Sequence, residues 1–321
     1  QNKGCINFFT VTVKPRQQEK SPSYLLTPQM RLPRVIQIGQ SRDEKMTTYA
    51  AILTSHADAL EAGVTARVYR VDEPEEDDDT PFNYLDTASS RAEINTVTRK
   101  LALGRVAIVG LGGTGSYVLD LVAKTPVKEI HLYDGDVYST HNAFRSPSAP
   151  SIEELREQPK KVAYFKLMYG KMHRRIVAHE THIDASNVDE LRAMNFVFLC
   201  MDQGEAKRVI VQKLEEFGIS FVDVGMGLCL KNETLGGILR VTTSTAQQRA
   251  HVHDKGRIPL GGDDGDNEYN KNIQIADLNS LNAALAVVKW KKLYGFYADH
   301  ENEFFSTYTI NCNMLTSEDA P

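Results

Sequence analysis

Four glycines occur within six residues directly after the apolar run RVAIV: Gly110, Gly112, Gly113 and Gly115. The segment after them has apolar residues at helical spacing. Backbone N–H groups can converge on an anion in such a turn because no Cβ atom blocks its approach, and the helix N-terminus adds partial positive charge. The glycines therefore predict a phosphate-binding turn, which either a dinucleotide or ATP could occupy.

A carboxylate follows at the end of the next predicted strand. Gly110, Gly112 and Gly115 fit the pattern G-x-G-x-x-G, and Asp134 ends the run EIHLYD about twenty residues later. A carboxylate at that place can accept hydrogen bonds from both ribose hydroxyls. We therefore expect Asp134 to bind a ribose, and NAD would satisfy this much of the pattern.

Cationic and amide side chains come next, in the segments YDGDVYSTHNAFRSP and EQPKKVAYF: Asn142, Arg145, Lys160 and Lys161. An enzyme that cleaves ATP must neutralise a triphosphate, whereas a nicotinamide enzyme has no need of such groups beyond the ribose acid. The glycine turn is also without a catalytic base in a recognisable context. The pattern favours ATP over NAD.

The order of these motifs over roughly residues 96–300 resembles the ThiF/MoeB and ubiquitin-activating enzyme superfamily. It runs G-x-G-G-x-G, D-x-D, N-x-x-R, a lysine after Q-P, and an aspartate after a later strand. The resemblance implies that Asp134 holds the ribose and that Asp202, in FLCMDQGEAKR, holds Mg²⁺. It also implies phosphate contacts from three polar side chains: Asn142, Arg145 and either Lys160 or Lys161.

The choice between the two lysines depends on helix register. We favour Lys161, because the segment KVAYFK then turns its apolar side toward the core. We expect Asp136 to organise the turn or the metal.

The resemblance also implies the reaction. Members of the superfamily use ATP to adenylate the C-terminal carboxylate of a small ubiquitin-like or sulfur-carrier protein, and pyrophosphate leaves. They act as homodimers in which an arginine from the N-terminal helix of one subunit reaches the site of the other, and Arg91 in TASSRAEINTVTRK is our candidate. The setting implied is a bacterial ubiquitin-like conjugation or defence system, with a possible downstream conjugating enzyme.

The resemblance also implies that a thioester step would use a cysteine in or after a crossover loop, which corresponds to the polar loop predicted at 244–272. That loop contains no cysteine. Cys229 lies nearest, at a strand end, and we expect it to be packed. Cys200 is expected in the core, and nothing around Cys312 indicates a lowered pKa. His251 and His253 have no third ligand beside them, so we expect both to face solvent. The sequence predicts adenylation without a clear thioester site.

The predicted elements place these residues on an α/β fold. From residue 96 onward strands and helices alternate, which predicts a doubly wound, Rossmann-like, mostly parallel sheet with helices on both faces. Residues 1–95 predict a small α+β domain that ends in the acidic stretch VDEPEEDDDTPFNY. Its predicted strands are INFFTVTV and VTARVYRV, and the segment MTTYAAILTSHADALEA between them predicts a helix. A final helix is predicted in IADLNSLNAALAVVKWKKLYGF, with Leu278, Leu281, Leu285 and Val288 on one face.

Composition narrows the alternatives. The 321 residues suffice for about two domains, and the net charge of -5 gives no electrostatic case for nucleic acid. The scattered cysteines, including Cys5, fit a reducing cytoplasm, and no apolar run is long enough for a membrane span or leader. An ATP-dependent tRNA-modifying relative and a non-catalytic scaffold for a ubiquitin-like protein stay open.

Overall fold

The computed structural model describes residues 79–202, 204–260 and 273–320, together with parts of a helix between residues 47 and 62. The chain divides into two compact units, Gln1–Arg70 and Val71–Pro321. In the first unit, residues 47–52 are helical, as are positions 54, 55 and 59, where the sequence predicts a helix. The predicted strands INFFTVTV and VTARVYRV lie outside the described residues.

Eight strands form one sheet in the described part of the second unit. In chain order they are β1 (Arg105–Val109), β2 (Glu129–Tyr133), β3 (Ile176–His179), β4 (Phe196–Leu199), β5 (Ser220–Lys231), β6 (Thr234–Ser244), β7 (Phe305–Thr309) and β8 (Met314–Glu318). Across the sheet the order is β3-β2-β1-β4-β5-β6-β7-β8. Strands β1 to β5 pair in parallel, and β6, β7 and β8 extend the sheet in antiparallel fashion.

Helices cover both faces of this sheet. Within the described ranges they are α1 (Thr87–Arg91), α2 (Asn95–Thr98), α3 (Gly113–Val122), α4 (Thr140–Ala143), α5 (Ile152–Arg156), α6 (Lys161–Tyr169), α7 (Glu205–Glu216), α8 (Ala250–Asp254) and α9 (Ala276–Leu293). Alternate residues of β1 enter different cores: Val106 and Ile108 pack with α3, α6 and α9, whereas Ala107 and Val109 pack with α7 and α8. The predicted α/β architecture is confirmed.

The segment SFVDVG, residues 220–225, predicts a short strand, whereas β5 runs on to Lys231. Asn232 and Glu233 link it to β6, with φ angles of 49° and 60°. Positive φ at both central residues is the geometry of a two-residue hairpin turn, whose twist matches that of the flanking strands. The strand therefore continues past the carboxyl edge of the parallel strands.

The buried face of α9 differs from the prediction. Leu281 and Val288 are exposed, whereas Asn279 and Asn282 are fully buried. The other buried residues of the helix are Ala283, Ala286, Val287, Lys289 and Trp290. The leucine spacing misled because small side chains let α9 approach α3 and the sheet closely, and the asparagines satisfy polar groups there. The face that carries the four predicted apolar residues is therefore not the face that the helix buries most fully.

The segment at 79–84, at the end of the acidic stretch, packs against the sheet-bearing unit. Asp79 contacts Lys128 at 2.6 Å and Arg175 at 3.1 Å. Phe82 is buried and meets the ring of His173 edge-on, with centroids 5.8 Å apart. The sheet-bearing unit therefore includes these residues.

None of the helices in the described ranges is both long and apolar enough to cross a lipid bilayer.

Acidification should destabilise the fold, because burial lowers the pKa of four histidines: His131, His173, His179 and His251. His173 is the best-defined case: its Nε2 lies 2.8 Å from the Val127 carbonyl oxygen and its Nδ1 accepts a hydrogen bond from the Arg175 N–H. Only the neutral ring can make both bonds. An unfolded chain takes up protons near pH 6.5, so the free energy of unfolding should fall as the pH drops below about 6.5.

Urea unfolding at pH 7.5 and 5.5 measures this effect. His173→Gln, which keeps a neutral polar side chain, should reduce the difference between the two midpoints. Equal midpoints for the unaltered protein would contradict the prediction.

Candidate functional site

The glycine turn joins β1 to α3 at the carboxyl edge of the sheet. Gly110 has a φ of 89°, and a Cβ atom on it would lie 2.6 Å from the carbonyl oxygen of Cys200. A Cβ atom on Gly115 would lie 1.9 Å from the Gly110 oxygen. Both glycines are therefore required by the close approach of backbone to backbone.

The N-terminus of α3 is open. Its N-cap residue, Gly112, contributes no side-chain hydrogen bond to the first N–H groups. A Cβ atom built on Gly112 would have no atom within 4 Å. These N–H groups have the geometry and the space to bind a phosphate.

Asp134 ties β2 to this turn. Its carboxylate is buried, and Oδ2 accepts a hydrogen bond of 2.7 Å from the Leu111 N–H. Oδ1 accepts one of 2.9 Å from the Asp136 N–H. The predicted ribose acid therefore lies beside the phosphate turn.

Both candidate lysines contact the D-x-D turn. The Lys161 ammonium lies 2.6 Å from Oδ2 of Asp136 and 3.3 Å from Oδ1 of Asp134. The hydrogen bond from the Lys161 ammonium lowers the pKa of the Asp136 carboxyl. Lys160 donates a hydrogen bond of 2.7 Å to the Gly135 carbonyl oxygen. Lys161 is buried and bound to the acids, whereas Lys160 is half-buried and bound to the backbone.

His182 also reaches this turn, which sequence reasoning missed. Its Nε2 lies 3.3 Å from Oδ1 of Asp136, and a Cβ atom on Gly135 would lie 2.8 Å from the imidazole ring. Ligand atoms of Asp134, Asp136 and His182 lie within 4.8 Å of one another, as a cation site would need. The ammonium of Lys161 already supplies positive charge there.

Asn142 and Arg145 lie on or just after α4 and carry unused hydrogen-bond donors. Oδ1 of Asn142 accepts a hydrogen bond of 2.9 Å from the Ser139 N–H, while its Nδ2 is buried without a partner. Nε of Arg145 is likewise buried without a partner. An unpaired buried donor costs about 1–3 kcal/mol, so two in one short segment indicate a place for an acceptor-rich ligand.

Asp202 follows β4 and is exposed. The Cys200 N–H donates to the Val109 carbonyl oxygen at 2.8 Å, which places the end of β4 beside the glycine turn. Burial raises the pKa of the Cys200 thiol, as expected of a core residue. Asp202 thus lies at the same edge as the predicted phosphate site.

A buried charge cluster, consisting of Lys207, Asp223 and Arg240, supports the segment after Asp202. The Lys207 ammonium, on α7, lies 2.6 Å from Oδ1 of Asp223 on β5. A guanidinium nitrogen of Arg240, on β6, lies 2.8 Å from Oδ2. Arg240 also donates to the Arg257 carbonyl oxygen. The cluster therefore joins α7 to the segment after α8.

The region predicted as a loop at 244–272 contains α8, and its residues 261–272, with the acidic run GGDDGDNEYN, lie outside the described residues. The expectation that both histidines face solvent is wrong for His251, which is buried and packs edge-on against Phe304 with centroids 6.0 Å apart. Helix α8 turns it inward, since the two histidines are separated by about 200° around a helix. His253 is exposed and lies 2.8 Å from Oε2 of Glu215.

Two further predicted residues are placed away from the turn. Cys229 is half-buried in the hairpin of β5 and β6, with Sγ 3.6 Å from the Gly236 carbonyl oxygen. Arg91 ends α1 and is exposed. In the part of the chain that the structure describes, neither residue has a hydrogen bond or an ion pair with the glycine turn.

Comparisons with known proteins agree with this geometry. The ThiF family matches residues 88–311. A domain of unknown function (DUF6791) matches residues 40–87. None of the curated proteins compared with the chain matches it.

Solved structures share the fold at low identity. PaaA is 15% identical with a TM-score of 0.55, over 88% of this chain and 87% of PaaA. E. coli MccB with MccA-N7isoASN is 15% identical with a TM-score of 0.56, over 73% of this chain and 71% of MccB. E. coli MccB with ATP is 15% identical with a TM-score of 0.54, over 74% of this chain and 72% of MccB.

Proposed function

The chain belongs to the ThiF family, and from that premise we propose that it is an ATP-dependent adenylyltransferase that activates a carboxylate. The site supports this proposal because donors suited to phosphate and a carboxylate suited to ribose lie at one edge of the sheet. E. coli MccB, which shares the fold, has been solved with ATP.

One observation carries the proposal: the short segment that holds the buried, unpartnered donors of Asn142 and Arg145 is joined, through the carboxamide of Asn279, to Thr114 in the first turn of the uncapped helix α3. Unpaired donors are costly unless a ligand satisfies them. A triphosphate offers many acceptor oxygens, and its charge matches both the arginine and the helix terminus.

In the proposed reaction a carboxylate oxygen attacks the α-phosphorus of ATP. A new P–O bond forms, the bond from the α-phosphorus to the bridging oxygen of pyrophosphate breaks, and pyrophosphate leaves with that electron pair. Arg145 and Lys161 or Lys160 would offset charge on the phosphates, and Asp134 would orient the ribose. No protein nucleophile is needed for this step.

Asp202 would hold Mg²⁺ at this edge, since an exposed carboxylate oxygen is the ligand that this ion prefers. Mg²⁺ would neutralise the triphosphate and stabilise charge on the leaving pyrophosphate.

We propose further that the carboxylate is the C-terminus of a ubiquitin-like or sulfur-carrier protein, as the family resemblance implies. The microcin C7 biosynthetic enzyme MccB has been solved in complex with N-formylated MccA. The chain would act as a homodimer, to whose second site the exposed Arg91 would contribute.

Thermal melting with Mg-ATP tests the proposal. Mg-ATP should raise the melting temperature, since a ligand at a hundred times its dissociation constant contributes about 2.7 kcal/mol. Asp202→Ala should reduce the shift, whereas Asp189→Ala, at an exposed carboxylate in the segment before β4, should not. A shift by NAD or NADH alone would overturn the proposal.

A further inference from the structure

The two buried asparagines of α9 have different neighbours. Asn279 contacts the glycine turn and the segment of Arg145, and Asn282 donates a hydrogen bond of 3.0 Å to the Gly225 carbonyl oxygen on β5. Both side chains have an exposure of 0%. Burying an amide in a helix that packs on a core is costly unless its hydrogen bonds are made. The hydrogen bonds of Asn279 therefore indicate that its carboxamide is needed to hold the segments that it joins.

The carboxamide of Asn279 joins two parts of the nucleotide site. Its Oδ1 accepts a hydrogen bond of 3.0 Å from the Thr114 hydroxyl, in the first turn of α3. Its Nδ2 donates one of 3.2 Å to the carbonyl oxygen of Arg145. One short side chain thus connects the phosphate-binding helix terminus to the residue whose guanidinium has an unused donor.

Gly113 makes room for this connection. A Cβ atom on Gly113 would lie 1.9 Å from Nδ2 of Asn279. Gly113 follows the N-cap residue of α3. The space left by its missing side chain is taken by the carboxamide of Asn279, and this glycine is therefore not needed to admit a phosphate. This accounts for the additional glycine in the G-x-G-G-x-G pattern of this chain.

We infer that Asn279 is a positioning residue, which sets the distance between the N-terminus of α3 and the guanidinium of Arg145. The inference rests on the proposed function, since it assigns Asn279 to the phosphate half of the ATP site. An asparagine fits because it offers a donor and an acceptor on one rigid plane. A leucine would leave the Thr114 hydroxyl and the Arg145 carbonyl unpaired.

The test compares Asn279→Ala with Asn282→Ala. The two variants lose an equally buried carboxamide from the same helix, so both ligand-free melting temperatures should fall. The fall should be larger for Asn279→Ala, because Asn279 makes two side-chain hydrogen bonds and Asn282 makes one. Dissociation constants for Mg-ATP and for adenosine are measured by calorimetry. Asn279→Ala should raise the dissociation constant for Mg-ATP about tenfold, which is equivalent to one lost hydrogen bond. Its dissociation constant for adenosine should stay within about twofold of that of the unaltered protein. Asn282→Ala should change neither by more than about twofold.

Thr114→Val is a second variant, which removes the hydroxyl from a part-buried position and keeps the shape of the side chain. It should weaken the binding of Mg-ATP a few fold without affecting the binding of adenosine. This variant keeps the inference testable if Asn279→Ala does not fold.

Equal weakening of Mg-ATP and adenosine would show general loosening and overturn the inference. So would an unchanged affinity for Mg-ATP in Asn279→Ala or, where that variant does not fold, in Thr114→Val. Failure of the unaltered protein to bind Mg-ATP would instead overturn the proposed function, and the inference with it.

Discussion

Replacing Asp223 by asparagine should lower the free energy of unfolding by about 3–5 kcal/mol. The Asp223 carboxylate is fully buried and faces the ammonium of Lys207, which is 2% exposed. Asparagine keeps the size of the side chain but leaves that ammonium without a counter-charge. Breaking a buried ion pair from one side is costly because the remaining charge has neither water nor partner.

Urea unfolding measures the loss. Asp189→Asn is the matched control, since it removes an exposed carboxylate that lies 3.1 Å from Arg192, and it should cost less than about 1 kcal/mol. Lys207→Met should cost less than Asp223→Asn, because Asp223 keeps its contact with Arg240. A loss of less than about 1 kcal/mol for Asp223→Asn would show that the cluster does not support the fold.

The second large effect concerns ligand affinity rather than stability. Arg145→Ala should weaken Mg-ATP binding about 10- to 100-fold, because a hydrogen bond to a charged group contributes about 1.5–3 kcal/mol. The free energy of unfolding should change little, since Nε of Arg145 has no partner in the ligand-free chain. Loss of affinity without loss of stability is the behaviour of a group kept for a ligand.

Calorimetry with Mg-ATP and urea unfolding measure the two quantities on the same samples. Arg145→Lys should fall between the unaltered protein and Arg145→Ala, because lysine keeps the charge but not the planar set of donors. Arg156→Ala, at the exposed end of α5, serves as the control and should bind normally. If Arg145→Ala bound Mg-ATP like the unaltered protein, the phosphate role of Arg145 would be wrong.

Local pattern determined much of this protein. The alternation of apolar strands and amphipathic helices from residue 96 predicted the parallel sheet. Each helix must bury its apolar stripe, and each apolar strand must be covered on both faces, which helices packed on both sides of a sheet achieve. Since parallel strands end at one edge, motifs after β1, β2 and β4 were bound to meet there. The glycine turn and Asp134 could be placed on that ground alone, and the structure puts them in contact at 2.7 Å.

Tertiary packing decided what lies behind that edge. The leucine spacing of α9 predicted the wrong face, because the partner surface is the glycine-rich start of α3, where space and unpaired polar groups favour Asn279 over a leucine. His251 is buried for a related reason, since α8 turns it onto Phe304. The ion cluster around Asp223 joins residues from three separate elements. Sequence spacing fixed which residues share an edge, whereas the close approach of distant elements fixed which polar groups had to be satisfied there.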